Sequence, residues 1–358
     1  MGGALRRERL AAELRARGLD ALLVTRPPNV RYLTGFTGSN GQLVVAADDR
    51  AVLLTDGRYE QQAAREAPDL ERLVYRDRSP VPHAVGVARA LGVSRLGFEA
   101  TLAHREAREL EEWADGLEVV AVDGLVERLR WVKDDEELRA LERAQGLTDL
   151  AFVRLPHLLR EGLTERDLAL ELEFEVRRAG AEALAFEPIV AFGEHAAEPH
   201  HRPCDRPLRR GDVVKVDLGA RASGYHADMT RTLAFGEPPA PLREIHALVA
   251  RAQAAGLAAL RPGATTGEVD AAARRTIAEA GFGERFPHGL GHGVGLEIHE
   301  GPWLRAEGAE AVPAGVVVTV EPGVYVPGLG GVRIEDVAVV GPEGARVLGR
   351  VSRELVVA

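Results

Sequence analysis

The chain has 358 residues, 46% hydrophobic and 28% charged, which suggests about two domains with buried cores and is too apolar for disorder. Acidic residues outnumber basic ones by 55 to 45, so neither nucleic acid nor an anionic membrane surface is an expected partner. The single cysteine, Cys204, excludes a disulfide framework and any cysteine-rich zinc or iron–sulfur site, and no apolar run approaches the roughly 18 residues a membrane helix needs. The opening MGGALRRERL lacks the apolar core of a signal peptide, and Arg6 spoils a myristoylation pattern, so a cytoplasmic protein is the expectation. Only Lys133 and Lys215 are lysines; the other basic residues are arginines.

Residues 4–17 carry Leu5, Leu10 and Leu14 among charges, an amphipathic helix, and DALLVT (20–25) reads as a buried strand. The apolar runs 42–47 and 51–55, separated by Asp48, Asp49 and Arg50, read as a hairpin. Helical patterns at 59–67, 82–92 and 102–114 then alternate with strands at 73–75, 95–99 and 117–122, giving an α/β domain over 1–124. A charged helical stretch at 135–159, within a region 125–160, is expected to connect it to a second domain, 161–358. There, helices at 164–179, 242–260 and 266–281 alternate with glycine-dense β-rich stretches at 184–192, 213–235 and 315–340, which predicts an α+β fold.

The segment GDVVKVDLGARASGYHADMTRTLAF (211–235) reads as a hairpin; a turn centred between Ala222 and Ser223 puts Asp217 opposite Asp228. In VVVTVEPGVYVPGLGGVRIEDVAVV (316–340), a turn centred on Gly328 puts Glu321 opposite Glu335. Like charges facing each other at about 4.5–5.5 Å between Cβ atoms destabilise a hairpin. One such pair is usually just a solvated surface loop. Two pairs in strongly apolar hairpins call for a counter-charge, and in a chain so poor in lysine the plausible one is metal.

Between the hairpins lies FPHGLGHGVGLEIHEGP (286–302). His288 and His292 have zinc-helix spacing, but Gly289, Gly291 and Gly293 make a helix improbable, and a HExxH metalloprotease site with it. The glycines point instead to a close approach of backbone to a ligand. The run does not fit a dinucleotide-binding loop, because Val294 and Leu296 occupy the third-glycine positions. Two divalent ions would balance Asp217, Asp228, Glu321 and Glu335 and leave a histidine as neutral ligand. Oxygen donors with one imidazole suit manganese, cobalt or zinc. Such a pair activates water and stabilises a tetrahedral oxyanion, the chemistry of amide or ester hydrolysis. No G-x-S-x-G is present, and Cys204 has only His200 and His201 near it in sequence, poor evidence for a thiol protease.

DLGARASGYHADMTRT, HGLGHGVGLEIHEGP and EPGVYVPGLGGVRIED together resemble the metallopeptidases of the pita-bread fold, in particular the proline-specific branch of prolidase and aminopeptidase P. NVRYLTGFTGSNG (29–41) and TDGRY (55–59) resemble the creatinase-like amino-terminal domain of that branch, so the likeness spans the chain. The resemblance implies Asp217, Asp228, His292, Glu321 and Glu335 as ligands of two divalent ions, with Mn2+ expected and Co2+ or Zn2+ as alternatives. It also implies Glu321 as proton shuttle, and His288 and His299 as groups that line the substrate site and position the scissile carbonyl. His200 would contact substrate near the leaving proline, although the following His201 blurs that assignment. Arg333 would hold carboxylates in place, Tyr325 is a weaker candidate on Glu321's face, and Asp336 points to the opposite face.

The function this implies is hydrolysis of the Xaa-Pro bond of small proline-containing peptides by a homodimer, in which Tyr32, Arg58 and the 34–41 loop would limit substrate length. Dipeptides are slightly favoured over longer peptides. A creatinase-like amidinohydrolase or an inactive binding homologue is the remote alternative, disfavoured because all five ligand types are retained.

Overall fold

The structure, a computed structural model, describes residues 2–358 and divides into two compact units at Arg130/Trp131. In the first unit one sheet has the order β4-β3-β2-β1-β5-β6. Its strands are β1 (Ala21–Val24), β2 (Gly41–Ala46), β3 (Ala51–Asp56), β4 (Glu71–Tyr75), β5 (Arg95–Glu99) and β6 (Glu118–Val122). β1, β2 and β3 pair antiparallel, whereas β4, β5 and β6 join in parallel, each reached through a helix. The helices are α1 (Gly2–Ala16), α2 (Pro27–Thr34), α3 (Glu60–Glu66), α4 (Val81–Ala90), α5 (His104–Trp113) and α6 (Leu125–Trp131). Period-2 alternation sends Ala21, Leu23, Val44, Val52 and Leu54 into one core with Ala84, Val85 and Leu110 of the helices. Helix α2 is not among the expected elements; its Pro27-Pro28 start is compatible with a helix because proline in the first turn loses no hydrogen bond.

In the second unit α7 (Asp135–Leu158) begins with a capping box, Asp134 bonding the Glu137 amide while Glu137 bonds back. Leu125 and Val126 are buried in α6, and Ala151, Phe152 and Leu155 of α7 join a core with Leu168, Leu172 and Val176 of α8 (Glu165–Arg178). That core also takes side chains from β8 (Ile189–Phe192), β9 (Val213–Asp217) and β12 (Thr230–Ala234), a sheet of order β12-β9-β8; β7 (Ala183–Leu184), β10 (Ala220–Ala222) and β11 (Tyr225–His226) form the sheet β11-β10-β7. A second helix pair, α9 (Ala240–Ala259) and α10 (Thr266–Glu279), covers the later strands. β13 (Gly291–Gly293), β14 (Glu300–Leu304), β15 (Val317–Val320), β18 (Asp336–Gly341) and β19 (Gly344–Val347) form the sheet β14-β13-β15-β18-β19. β16 (Gly323–Val326) and β17 (Gly330–Arg333) pair with each other. Helices packed on mainly antiparallel sheets make this unit α+β, as expected.

The two hairpins meet their expectations differently. In the second, Gly323 pairs with Arg333 and Val320 with Asp336, so one register runs through both ladders and puts Glu321 opposite Glu335 where they join. In the first, Asp217 pairs with Thr230 instead of Asp228. The turn is Ser223-Gly224, with φ of 51° and 78°, one residue later than expected. A two-residue hairpin turn of this kind needs positive φ at both positions, which favours glycine at one of them. The later turn moves the pairing by two, so Asp228 stays on Asp217's face but lies diagonal to it.

Candidate active site

Asp217 ends β9, Asp228 lies in the segment entering β12, and His292 is the middle residue of β13. Glu321 follows β15, and Glu335 precedes β18. All five side chains line one cavity of about 750 Å3, which His200, His288, His299 and Arg333 also line. The structure thus brings the five expected ligands together with His200, His288, His299 and Arg333, whereas Tyr32, Arg58 and the 34–41 loop belong to the first unit and do not line this cavity.

Backbone meets backbone at β13. A Cβ on Gly291 would stand 2.1 Å from the Thr319 carbonyl oxygen, and one on Gly293 equally close to that of Gly301. These glycines admit neighbouring strands rather than a ligand, which corrects the expectation above. Gly291→Ala is expected to destabilise the second unit by on the order of 2–3 kcal/mol, read as a lowered thermal midpoint.

The His292 Nδ1 lies 3.0 Å from the Gly293 carbonyl oxygen, which can only accept, so Nδ1 carries the proton and the Nε2 lone pair faces the acids. That Nε2 is 3.4 Å from Glu321 Oε1 and 3.6 Å from Asp228 Oδ2. Ligand atoms of Asp228, His292 and Glu335 lie within 4.8 Å of one another. Thr230 Oγ1 donates to Glu335 Oε2 at 2.7 Å, and Thr319 Oγ1 to Glu321 Oε1 at 3.2 Å. Neither threonine stands out in the sequence, although each lies one strand step from an acid or opposite one.

Burial, followed by the neighbouring acids, pushes the Asp228 and Glu335 carboxyls well above their usual range. Burial also raises Glu321 to about 7, against the pull of Arg333. His292 is lowered to about 4 by burial and then by His299, so it is neutral. One fixed positive charge is present that the sequence reading treated only as a support: Arg333 donates to Asp217 Oδ2 at 2.5 Å and to the Tyr325 hydroxyl at 3.0 Å. The other Asp217 oxygen, Oδ1, is buried and has no hydrogen-bond partner among the described residues. One arginine against four acids leaves a deficit of positive charge, and a buried acceptor pointing into it is a natural place for a cation.

His288 donates from Nδ1 to the Gly289 carbonyl, and its Nε2 accepts from the Tyr325 hydroxyl at 2.9 Å. Both ring nitrogens are thus engaged in a relay to Arg333, and burial lowers the ring to about 3. His299 is exposed at the cavity and stands edge-on to His292, with ring centroids 4.4 Å apart. His200 is exposed, and its ring has no hydrogen bond among the described residues. His201 differs: its nitrogens face Glu198 and Glu165. That leaves His200 as the imidazole open to the cavity. Lys215 Nζ donates to the carbonyls of Ala196 and Glu198, which fixes the loop that carries His200. Asp336 is bonded to Arg231, Arg353 and Gln253, away from the acids, as its strand parity implied.

Residues 139–342 match the model of metallopeptidase family M24, and residues 6–132 match that of the creatinase/prolidase N-terminal domain. The chain belongs to family M24. This M24 peptidase is 35% identical over 350 residues to a Xaa-Pro dipeptidase of Pyrococcus furiosus, covering 98% of this chain and 99% of that one. Among solved structures, the Xaa-Pro dipeptidase from Bacillus anthracis superposes with a TM-score of 0.96 at 38% identity, over 99% of this chain and 100% of the other. An X-Pro aminopeptidase from Thermotoga maritima gives 0.90 at 33% identity, over 97% and 100%. The pita-bread catalytic domain and creatinase-like first domain are therefore those the motifs implied. The M24 chain is a peptidase of a class that works with two metal ions, and the acids above are its candidate ligands.

Proposed function

We propose that this M24 peptidase is a Xaa-Pro dipeptidase whose Asp217, Asp228, His292, Glu321 and Glu335 hold two Mn2+ ions. The observation that carries the reading is the convergence of four acids and one outward Nε2 on a single cavity, with Asp217 Oδ1 buried and unpartnered. Oxygen donors with a single imidazole suit Mn2+, with Co2+ and Zn2+ next. When bound, such a pair of ions supplies Lewis acidity and a water acidic enough to attack at neutral pH.

The protein's own groups supply the rest. Glu321, which lines the cavity beside the other candidate ligands, is suited to take a proton from the attacking water and return it to the leaving proline nitrogen. That nitrogen carries no hydrogen in the substrate, so it leaves as an amine only when one is delivered. His200 and His299 stand at the cavity as groups able to bond the substrate carbonyl, and the Arg333–Tyr325–His288 relay holds Asp217 in place. Phe186, Pro188, Ile298 and Trp303 give the cavity apolar walls suited to a pyrrolidine ring. Arg202 and Arg305 also line it, and neither has an ion-pair partner among the described residues. A dipeptide presents a free proline carboxylate, and a longer peptide does not, so two cavity-lining arginines without ion-pair partners favour the dipeptide. The names of the relatives point the same way.

The second reading, an aminopeptidase acting on longer peptides, has the Thermotoga likeness in its favour. In this proposal the protein works in the cytoplasm as a homodimer; no helix of the described residues is long and apolar enough to cross a membrane. Hydrolysis of Ala-Pro and Ala-Pro-Ala by Mn2+-loaded protein separates the readings. Fast release from the dipeptide alone is the expected result. Comparable or faster release from the tripeptide would mean the aminopeptidase, and cleavage of neither would remove both.

A further inference from the structure

A second cluster of metal-binding side chains lies outside the acid site. Glu165, at the start of α8, is fully buried and accepts from the Phe192 amide at 2.9 Å and the Cys204 amide at 3.1 Å. His195 Nδ1 is 2.9 Å from one of its oxygens, and His201 Nε2 is 2.8 Å from the other. Cys204 Sγ is 3.1 Å from Glu165 Oε2 and 3.9 Å from His195 Nδ1. One donor atom from each of the four residues fits within a 4.8 Å span.

The protons at His201 do not balance. Nδ1 faces Glu198 Oε2 at 2.9 Å while Nε2 faces Glu165 Oε2, yet a neutral imidazole has one N–H. One of the two contacts then sets a lone pair against a carboxylate oxygen unless a positive charge lies there. We propose that Glu165, His195, His201 and Cys204 form a separate mononuclear site for a tetrahedral divalent ion of the zinc type. Two imidazoles, a thiolate and a carboxylate are a zinc donor set, and the two anions neutralise the ion. Bonds of about 2.0–2.3 Å place tetrahedral donors about 3.3–3.8 Å apart, so the present spacings need small side-chain movements. Glu198 holds the His201 ring by its other nitrogen, as groups behind metal-bound histidines do.

Binding releases one proton, from the Cys204 thiol. His195 moves its proton to Nε2 with no net release, and His201 keeps its own on Nδ1. Without the ion, Glu165 beside the thiol raises its pKa, so Cys204 is not an activated nucleophile. The Cys204 side chain is only partly buried, so the site is reachable by a free ion. An ion here would tie the loop bearing His200 to the start of α8 and the turn after β8, in addition to the anchor that Lys215 supplies. The acid site offers no sulfur, so this site is readable by itself.

Metal-free protein titrated with Co2+ is expected to take three equivalents, one of them bringing a sulfur-to-cobalt charge-transfer band in the near ultraviolet. Because Cys204 is the sole cysteine, that band can come from no other site. Cys204→Ser is expected to lose the band and one equivalent and to keep two. In unmutated protein, Zn2+ is expected to slow alkylation of Cys204 by iodoacetamide at least about ten-fold. Saturation at two equivalents without a sulfur band, and alkylation indifferent to Zn2+, would overturn the proposal and leave a proton on His201 as the charge. A sulfur band with a single equivalent would instead keep this site and remove the two-ion centre.

Discussion

Chelator-stripped protein is expected to lose Xaa-Pro hydrolysis by at least about 10³-fold and to become less stable as the pH rises, with Mn2+ reversing both. The direction follows from the buried acids. Glu321 is raised in the folded state from 4.5 to about 7, and Asp228 and Glu335 are raised in the same direction. Below the unfolded pKa both states are protonated and the group contributes no difference. Between 4.5 and about 7 the folded state keeps a proton on Glu321 that the unfolded chain has released, so the free energy of unfolding falls with rising pH. Each tenfold difference in proton affinity between the two states is worth about 1.4 kcal/mol, so the loss from Glu321 alone approaches roughly 3 kcal/mol and is complete above the folded pKa. For a unit of this size that is a fall of several degrees in thermal midpoint. Bound ions need the acids deprotonated, so their affinity rises over the same range and the slope flattens or reverses. Thermal unfolding of stripped and Mn2+-loaded protein from about pH 5 to about pH 8 reads this directly. A stripped protein whose midpoint is flat or climbs with pH would contradict the charge deficit described here.

Glu321→Gln is the second large effect. The substitution keeps the volume and the Thr319 contact but removes both the charge and the proton carrier. The expected result is a fall in kcat of about 10³–10⁴-fold with little change in KM, since the lost function acts on the proton and not on substrate contact. Stripped Glu321→Gln protein should also be more stable than stripped unmutated protein at about pH 8, because a buried negative charge without its own counter-charge has been removed. Steady-state kinetics on Ala-Pro, with metal content measured on the same samples, tests this. A kcat within about ten-fold at equal metal content would move the proton-carrying role to another group.

Local pattern was enough for most elements. Helical patterns placed α1, α3, α4, α5, α7, α8, α9 and α10 within a few residues, because apolar side chains on one face of these helices go to the interior. α2 escaped because its start is proline-rich, and β13 and β14 escaped because glycine carries no alternating pattern to read. The site was legible for a different reason. Four acids in apolar, turn-punctuated runs, with glycine-spaced histidines between them, conflict with simple burial, and such conflict is where chemistry concentrates.

The sequence by itself singled out the four acids and the Glu321–Glu335 register, because a three-residue turn centred on Gly328 leaves one pairing that keeps the apolar face inward, and its family resemblance implied His292 as the fifth candidate ligand. Only the tertiary structure decided the rest. The Asp217 register turned on φ values at Ser223 and Gly224 that sequence does not display. The hold of Arg333 on Asp217 joins residues 116 apart, and the meeting of Glu165 with Cys204 joins residues 39 apart. Contacts of that kind leave no periodicity along the chain, since they are set by how strands and helices stack.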